Sequence, residues 1–322
     1  MTDRSAEPTR AEQPRGRRAR VLASGPQADQ KKQRAAAVSI VSNSLLVAFK
    51  LVAGLISGSI SIMSEAAHSA SDLVAALIAF LSVRAAGRPA DPRHLYGHEK
   101  VENVSGIIEA LLIFAAAVVI IFEGVQKLIH GLHLDHLWLA IGVMAVSAIA
   151  NLFVSEAILY PTARRTESAA LEADAAHLRT DVYTSVGVVA GLLVVKLTGI
   201  TWFDPAAAIA IAILILYTVY RLINDSTRVL LDEALPEEEL EILARCVAQH
   251  KGDIIFGYHN LRARRAGSRR HIDLHVTVDE HMSVGEAHGV AHHIAGDIRE
   301  CLPNVDVLVH VEPRSQDRGA GS

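Results

Sequence analysis

The sequence is poor in cysteine, and it lacks a motif that would mark a membrane peptidase. The only two cysteines, Cys246 and Cys301, are not spaced as a CxxC pair. We therefore interpret them as two ordinary small residues of a reduced, cytoplasmic domain. An intramembrane zinc peptidase would need an HExxH helix or an equivalent with a general base. No HExxH occurs, which disfavours that class.

No apolar segment precedes residue 36, so we expect no cleaved signal peptide. Residues 1–35 are instead polar and basic, and their cationic residues include Arg15, Arg17, Arg18, Arg20, Lys31, Lys32 and Arg34. Such a composition predicts a disordered N-terminal arm rather than a nucleic-acid-binding element. Residues 314–322 are predicted to form a polar tail.

What the chain has in abundance is long apolar segments. Apolar residues make up 51% of the sequence and the mean hydropathy is +0.28, too apolar for a purely soluble protein. A helix needs about 20 apolar residues to cross a bilayer. Six segments meet that length, at 36–58, 60–84, 103–127, 137–160, 168–197 and 203–223. We therefore predict an α-helical membrane domain of six transmembrane helices over residues 36–224.

The charges of the loops predict the orientation of these spans. Lys and Arg are concentrated in the N-terminal arm, in the loops after spans two and four, and after span six. The alternate connections, 58–59, 128–136 and 198–202, are poor in both. Because cytoplasmic loops carry the excess of basic residues, both termini are expected in the cytoplasm.

Beyond Asp232 the sequence acquires a soluble character. Residues 236–250 and 283–300 show helical patterns, whereas 254–264, 270–279 and 304–311 read as strands. This α-β-β-α-β order predicts a small two-layer α+β domain over residues 225–313, ferredoxin-like or metallochaperone-like in its fold.

One pattern occurs twice inside the apolar helices: an acid, a histidine three residues on, and an aspartate four further. The two copies are Glu65, His68, Asp72 and Asp174, His177, Asp181. These offsets place the side chains on one helix face. Charges within a bilayer cost several kcal/mol, so they indicate a functional site. Two imidazoles and two carboxylates suit zinc best, although cobalt, iron or cadmium also fit.

The two copies lie on spans predicted to cross in opposite directions. His68, Asp72, His177 and Asp181 would then meet near the bilayer midplane, where transporters place their substrate sites. Only neutral imidazole binds a metal, and histidine titrates near physiological pH. The same four groups therefore favour competition between a metal ion and protons. We interpret Glu65 and Asp174 as supporting or pathway residues.

Several motifs together resemble the cation diffusion facilitator family, over about residues 36–313. They are Ala66–Asp72 in span two, Asp174–Asp181 in span five, Tyr96–Glu102 after span two, Asp204-Pro205, and Leu230–Asp232. The resemblance implies a homodimer that exports zinc from the cytoplasm against proton entry. The Ala- and Arg-rich composition indicates a bacterial inner membrane. In this family, histidine in the first position of both pairs is associated with zinc, and aspartate there in span two with broader selection.

The resemblance also implies further sites. Asp91, His94 and His98 repeat the +3 and +4 spacing, and similar members use this loop for a second zinc site. In the soluble domain the implied zinc ligands are His259, His275, His288, His310 and Glu312. Glu312 departs from the commoner aspartate. Lys100 and Asp232 are implied to form a charge pair at the dimer hinge, whereas His271, His281, His292 and His293 are interpreted as surface residues.

Two alternatives stay open from the sequence. One is an exporter of iron, cobalt or cadmium, with manganese disfavoured because it prefers oxygen ligands. The other is a membrane metal sensor that does not transport, which would also bind metal at these ligands.

Overall fold

The protein consists of a bundle of long helices followed by a small α+β domain. The computed structural model describes residues 26–57, 60–130, 137–198, 202–252 and 254–314. The first helices are α1 Pro26–Ser57, α2 Ile60–Ala86, α3 Val101–His130, α4 Leu137–Phe153, α5 Tyr160–Thr166, α6 Ala169–Thr198 and α7 Phe203–Leu230. A π-helical stretch, Val154–Leu159, joins α4 to α5.

Long apolar helices form the predicted membrane domain. Within the described residues, five helical stretches are long and apolar enough to span a bilayer. They are Gln27–Ile56, His68–Ala86, Val101–Gln126, Ile141–Thr166 and Pro205–Leu230. α6 is 30 residues long, and its first half carries the charged residues of the second repeat. Large apolar side chains such as Phe114 and Phe122 are exposed on the outside of the bundle, as a lipid-facing surface requires.

The first helix begins earlier than the sequence predicts. α1 begins at Pro26, whereas the prediction assigns residues 1–35 to a disordered arm. Lys32 accounts for the difference, because its side chain is buried and its Nζ lies 2.8 Å from a carboxylate oxygen of Glu102 on α3. This tertiary ion pair allows a charged segment to continue the helix. Residues 26–35 are thus helical, and the arm's remainder lies outside the described residues.

Small side chains allow α1, α2 and α6 to pack closely. Ala36, Ala75, Ala76 and Ala79 are fully buried, and in a membrane domain such residues let helix backbones approach. Leu159, Leu171 and Leu178 fill the space near α5 and the first half of α6. This packing holds the repeat-bearing faces of α2 and α6 against each other.

The C-terminal domain has the predicted αββαβ order. Its elements are α8 Glu237–Ala248, β1 Gly257–Ala266, β2 Arg269–Val278, α9 Val284–Cys301 and β3 Val305–Pro313. β2 is central, antiparallel to β1 and parallel to β3. α9 begins with a capping box between Ser283 and Glu286, which satisfies amide groups of its first turn. The membrane helix α7 extends to Leu230, beyond the predicted boundary at residue 224.

The two faces of the sheet have different neighbours. Ile272, Leu274 and Val276 of β2 are buried in a core that also contains Leu243 of α8 and Ile298 of α9. Because alternate strand residues point to opposite faces, His271, Asp273 and His275 lie on the other face. The histidines of β2 therefore face away from the helical layer.

The structure differs from the prediction of two separate, reduced cysteines. Cys246 near the end of α8 and Cys301 at the end of α9 form a disulfide, with their Cα atoms 6.7 Å apart. The two helices pack in the same layer, which brings these two positions together although 55 residues separate them. No local pattern in the sequence indicates that these two positions meet.

Polar contacts join the C-terminal domain to the membrane domain. Gly267, in the β1–β2 turn, has a φ of +57°, and an added Cβ would lie 2.8 Å from the carbonyl oxygen of Glu99. Arg269 binds the Glu99 side chain at 3.1 Å. Arg270 binds Glu167, which follows α5, at 2.9 and 3.0 Å. These contacts hold the β1–β2 turn and the start of the central strand against the ends of the membrane helices.

Candidate metal sites

The helices α2 and α6 bring the four main residues of the doubled pattern together. His177 Nε2 lies 3.1 Å from Asp72 Oδ1, and His68 Nε2 lies 3.5 Å from Asp181 Oδ1. His68 is also 3.9 Å from Asp72, one helical turn away. The earlier residue of α2 meets the later residue of α6 and vice versa, so the helices run in opposite directions. Each histidine is therefore paired with the aspartate of the other helix.

These four residues, which we call the midplane cluster after their predicted depth in the bilayer, are buried on one side and open on the other. Asp72 and His177 are buried, whereas 43% of the His68 side chain is exposed. Asn151 of α4 donates a hydrogen bond of 3.4 Å from Nδ2 to Asp181 Oδ2. The ligand atoms of His68, Asp72 and Asp181 lie within 4.8 Å of one another, close enough to share one ion. His68 thus lines the accessible side of the cluster.

The leading acids of the two copies do not take equivalent positions. Glu65 turns towards α1, where it accepts a hydrogen bond of 3.1 Å from Lys50. Lys50 also donates to Ser69 at 2.8 Å. Asp174 is fully buried, and the fully buried Glu109 of α3 lies close enough for their charges to interact. Neither acid contacts the cluster by a hydrogen bond or ion pair among the described residues.

Lys50, Glu109 and Asn151 are polar residues near the site that the sequence reasoning did not select. Lys50 and Glu109 are ionisable residues inside strongly apolar spans, which is itself a signal of function or of a partner. That signal could have identified both. Asn151 carries no charge, and only the packing of α4 on α6 shows that it reaches Asp181.

A second cluster occupies the loop between α2 and α3. His94 Nδ1 and His98 Nε2 each lie 3.2 Å from Asp91, and the two imidazole rings are 4.3 Å apart. Asp91 also accepts backbone hydrogen bonds of 2.8 Å from Arg93 and His94. These two N–H groups hold the pKa of the Asp91 carboxyl below its usual value. The three predicted residues are thus assembled on one tight, solvent-exposed turn.

A third cluster crosses the outer face of the sheet. The strand register places His259, His275 and His310 side by side on β1, β2 and β3. Glu312 lies 3.1 Å from His259, 2.9 Å from His275 and 3.6 Å from His310. The hydrogen bond to His275 holds the pKa of Glu312 below its usual value, with the neighbouring histidines contributing. The side chain of Glu312 therefore joins all three strands.

His288 is the one predicted residue of this domain that the structure does not bring to the sheet cluster. It lies near the start of α9, where its ring is 6.3 Å from that of His292. α9 covers the core face of the sheet, whereas the three histidines lie on the opposite face. Within one chain His288 is therefore separate from them.

Lys100 and Asp232 meet where the two domains join. Lys100 Nζ lies 2.7 Å from Asp232 Oδ1, and Arg264 of β1 donates to the same oxygen at 2.9 Å. The hydrogen bond from Lys100 is the main reason that the pKa of Asp232 is lowered. Asp232 has a φ of +58°, so the chain turns sharply as it leaves α7. The predicted pair is thus part of a three-residue cluster that includes β1.

Comparison with known proteins matches both parts of the chain to one family. Residues 36–231 match the cation efflux transmembrane domain, and residues 235–314 match the cytoplasmic domain of cation efflux proteins. Among solved structures, a metal-bound C-terminal domain of the CzcD transporter from Thermotoga maritima is 28% identical in sequence to this chain. It covers 24% of this chain and 94% of its own, with a TM-score of 0.22.

Full-length relatives agree with the domain matches. An uncharacterised transporter, sll1263, from Synechocystis is 34% identical over 86% of this chain and 89% of its own length. The cation-efflux pump FieF of Pectobacterium atrosepticum is 31% identical over 87% and 92%, respectively. Together with the assembled clusters, these matches confirm the family predicted from the motifs. The chain belongs to the cation efflux family of integral membrane transporters, which export divalent metal ions.

Proposed function

We propose that this protein exports zinc from the bacterial cytoplasm across the inner membrane, in exchange for protons, as a homodimer. The observation that carries the proposal is the cross-pairing in the midplane cluster. His68 meets Asp181 at 3.5 Å and His177 meets Asp72 at 3.1 Å. Two helices thus contribute one imidazole and one carboxylate each to a single group of ligands.

The formal charge of this cluster supports proton exchange. With both imidazoles protonated and both aspartates ionised, the four side chains carry no net charge. A divalent ion bound by two neutral imidazoles and two carboxylates also leaves no net charge. Because a metal displaces protons from the histidines, exchange of one ion for two protons keeps the buried site neutral. Neutrality matters there, since an uncompensated charge at this depth is costly.

The ligand set favours zinc among the divalent ions. Two imidazole nitrogens and two carboxylate oxygens suit four-coordinate zinc, whereas manganese prefers oxygen ligands. The relative FieF is described as a cation-efflux pump, which agrees with a metal-ion substrate. Iron, cobalt and cadmium are the competing substrates, so the flux of each should be measured beside that of zinc, and zinc should be carried fastest.

The charge distribution supports the proposed orientation. Arg84, Arg88 and Arg93 lie at or just after the end of α2, and Arg164 and Arg165 end α5. The C-terminal domain contacts this same end through Glu99 and Glu167. By the positive-inside rule this end, with both termini, faces the cytoplasm.

The sheet cluster supports a regulatory role and a dimer. Leu308 of β3 is 66% exposed and the His310 side chain is 60% exposed on the outer face of the sheet. A second copy covering this face would bury that apolar surface and approach the three histidines. We propose that zinc bound there, and by the Asp91 loop, draws two chains together and promotes transport. The His275→Ala, His310→Ala double variant should then transport more slowly at low zinc, and unchanged transport would count against this role.

Zinc flux into proteoliposomes tests the proposed function. Wild-type protein should carry zinc into vesicles whose interior is more acidic than the outside, because protons then leave as zinc enters. It should carry manganese poorly. Asp72→Asn and Asp181→Asn should abolish flux, because each removes a carboxylate while keeping the side-chain shape. Glu123→Gln is the matched control, since Glu123 is an exposed carboxylate on membrane helix α3. Full flux in both aspartate variants would refute the proposal, and zinc binding without flux would favour the sensor alternative.

A further inference from the structure

The helical layer of the C-terminal domain contains a cluster of potential ligands separate from the three above. It consists of His250, two residues after the end of α8, and of His293 and Asp297 on α9. His250 Nε2 lies 2.9 Å from Asp297 Oδ2, and His293 Nε2 lies 3.8 Å from the same oxygen. The two imidazole rings are 5.2 Å apart and nearly perpendicular. The sequence analysis interprets His293 as a surface residue and does not select His250 or Asp297.

One ring nitrogen of His250 is buried without an ordinary hydrogen bond. Its side chain is 8% exposed. Although Nε2 is near Asp297, it has no partner with hydrogen-bond geometry among the described residues. A buried polar atom without a partner is costly, so it calls for an explanation. Two ligands of one metal ion direct their lone pairs at a common point rather than at each other, which produces this arrangement.

The spacing of the three ligand atoms fits a metal ion. Nitrogen and oxygen ligands of zinc lie at about 2.0–2.1 Å, so two ligands of a tetrahedral ion are about 3.3 Å apart. The observed 2.9 and 3.8 Å bracket that value, and all three ligand atoms lie within 4.8 Å of one another. Three ligands leave a fourth position for water, because His293 and Asp297 are partly exposed.

The backbone holds the ligands in place before any ion binds. His293 and Asp297 are one helical turn apart, a spacing that puts both on one face of α9. The His250 carbonyl accepts hydrogen bonds from the N–H groups of Ile254 and Ile255, at 3.2 and 3.1 Å. The Cys246–Cys301 disulfide joins α8 to α9 about one turn from each side of the cluster. Little conformational entropy is therefore lost when the three residues bind together.

We propose that His250, His293 and Asp297 bind a divalent transition-metal ion of the zinc type, at a site distinct from the sheet cluster. An ion there would bridge the end of α8 to α9, and would stabilise the domain whenever the metal is present. The proposal does not depend on zinc export, since the site lies on the helical layer of the soluble domain.

Zinc binding to the purified full-length protein in detergent tests this site. The other clusters are first weakened by the near-isosteric changes Asp181→Asn, Asp91→Asn and Glu312→Gln. In that background, His250→Gln, His293→Gln and Asp297→Asn should each lower the bound zinc by one ion per chain. His281→Gln is the control, because the side chain of His281 is 88% exposed and should leave the count unchanged. The samples contain no reductant, so the cysteines stay joined and add no ligands.

The outcomes decide the proposal even if one variant folds poorly. His250 is buried, so its substitution can disturb the core, but Asp297 is 37% exposed and its amide variant should fold. Cobalt binding gives a second readout, because a four-coordinate cobalt ion absorbs visible light more strongly than the six-coordinate ion in water. Asp297→Asn should remove this absorption band. An unchanged zinc count and an unchanged cobalt spectrum in Asp297→Asn and His293→Gln would overturn the proposal.

Discussion

Arg270 offers a sharp test of how the two domains are coupled. Its side chain is 3% exposed and lies between two carboxylates, one from each domain. It binds Glu167 at 2.9 and 3.0 Å, Glu239 at 2.7 and 2.9 Å, and the carbonyl oxygen of Pro303 at 3.1 Å. Arg270→Ala would remove the buried cation that binds both carboxylates and leave only Arg265, which binds Glu239 and lies 3.7 Å from Glu167.

The structure sets the size of the expected effect. Removing one partner of a fully buried ion pair costs about 3–5 kcal/mol. Glu167 and Glu239 are 18% and 19% exposed, so water can partly replace the guanidinium. We therefore expect the lower end, about 3 kcal/mol, which is roughly a hundredfold change in the unfolding equilibrium. Arg270→Lys keeps the charge but cannot bind both carboxylates in forked geometry. Its loss of folding stability should therefore be smaller than that of Arg270→Ala.

Hydrogen exchange of the full-length protein measures this effect region by region. In Arg270→Ala, the amides of β2 and α8 should exchange roughly a hundredfold faster, in line with the loss of stability. The control is Arg262→Ala, because Arg262 is 75% exposed and its nearest carboxylate, Asp273, is 3.9 Å away. That variant should stay within about 0.5 kcal/mol of the wild type. An Arg270→Ala protein as well protected as the Arg262→Ala control would refute the reasoning.

The same contact predicts a pH dependence. Burial alone would raise the pKa of Glu239, but the hydrogen bond from Arg270 and the charges of Arg265 and Arg270 outweigh it. The pKa of Glu239 is therefore below its usual value of 4.5. A lowered carboxylate pKa contributes stability that is full above the usual value and is lost as the pH falls through the folded value. Arg270→Ala should lose the larger part of this acid-sensitive contribution to the unfolding free energy, and Arg265 should keep the remainder.

Two further variants test the interdomain turn and the choice of metal. Gly267→Ala should destabilise the protein by about 2 kcal/mol, because alanine disfavours a positive φ and its Cβ would meet Glu99. The control is Gly257→Ala, which has open space around the added Cβ and should leave the melting temperature nearly unchanged. His68→Asp should raise manganese flux relative to zinc flux in proteoliposomes, since it replaces a nitrogen ligand by oxygen; an unchanged ratio would mean that His68 does not select the ion.

Much of the fold could be predicted because it depends on local patterns. The αββαβ order follows from alternation along the strands and helical periodicity around Leu243 and Ile298, and the structure has the same order. The doubled acid–histidine–aspartate spacing likewise placed His68 near Asp181, because helix periodicity and opposite crossing directions are both readable from sequence. In the structure the two pairs are 3.5 and 3.1 Å apart, so the repeated spacing brings all four side chains into one cluster.

What could not be predicted depends on contacts between distant segments. The start of α1 depends on Lys32 finding Glu102, a pairing that no local pattern contains. The Cys246–Cys301 bond, and the convergence of His250 on Asp297, both arise from the packing of α8 against α9. The position of His288 apart from the sheet cluster depends on which face α9 covers.

Proton release during zinc binding tests the central proposal most directly. Purified protein in weakly buffered detergent solution is mixed with zinc, and the protons released per zinc bound are counted with a pH indicator. The Asp91→Asn, Glu312→Gln, His250→Gln background removes the contributions of the other clusters. At a pH low enough for both histidines to be protonated before zinc binds, we predict the release of close to two protons per zinc. No protons should be released when Asp181→Asn is added. Zinc binding at the midplane cluster without proton release would contradict the proposed exchange.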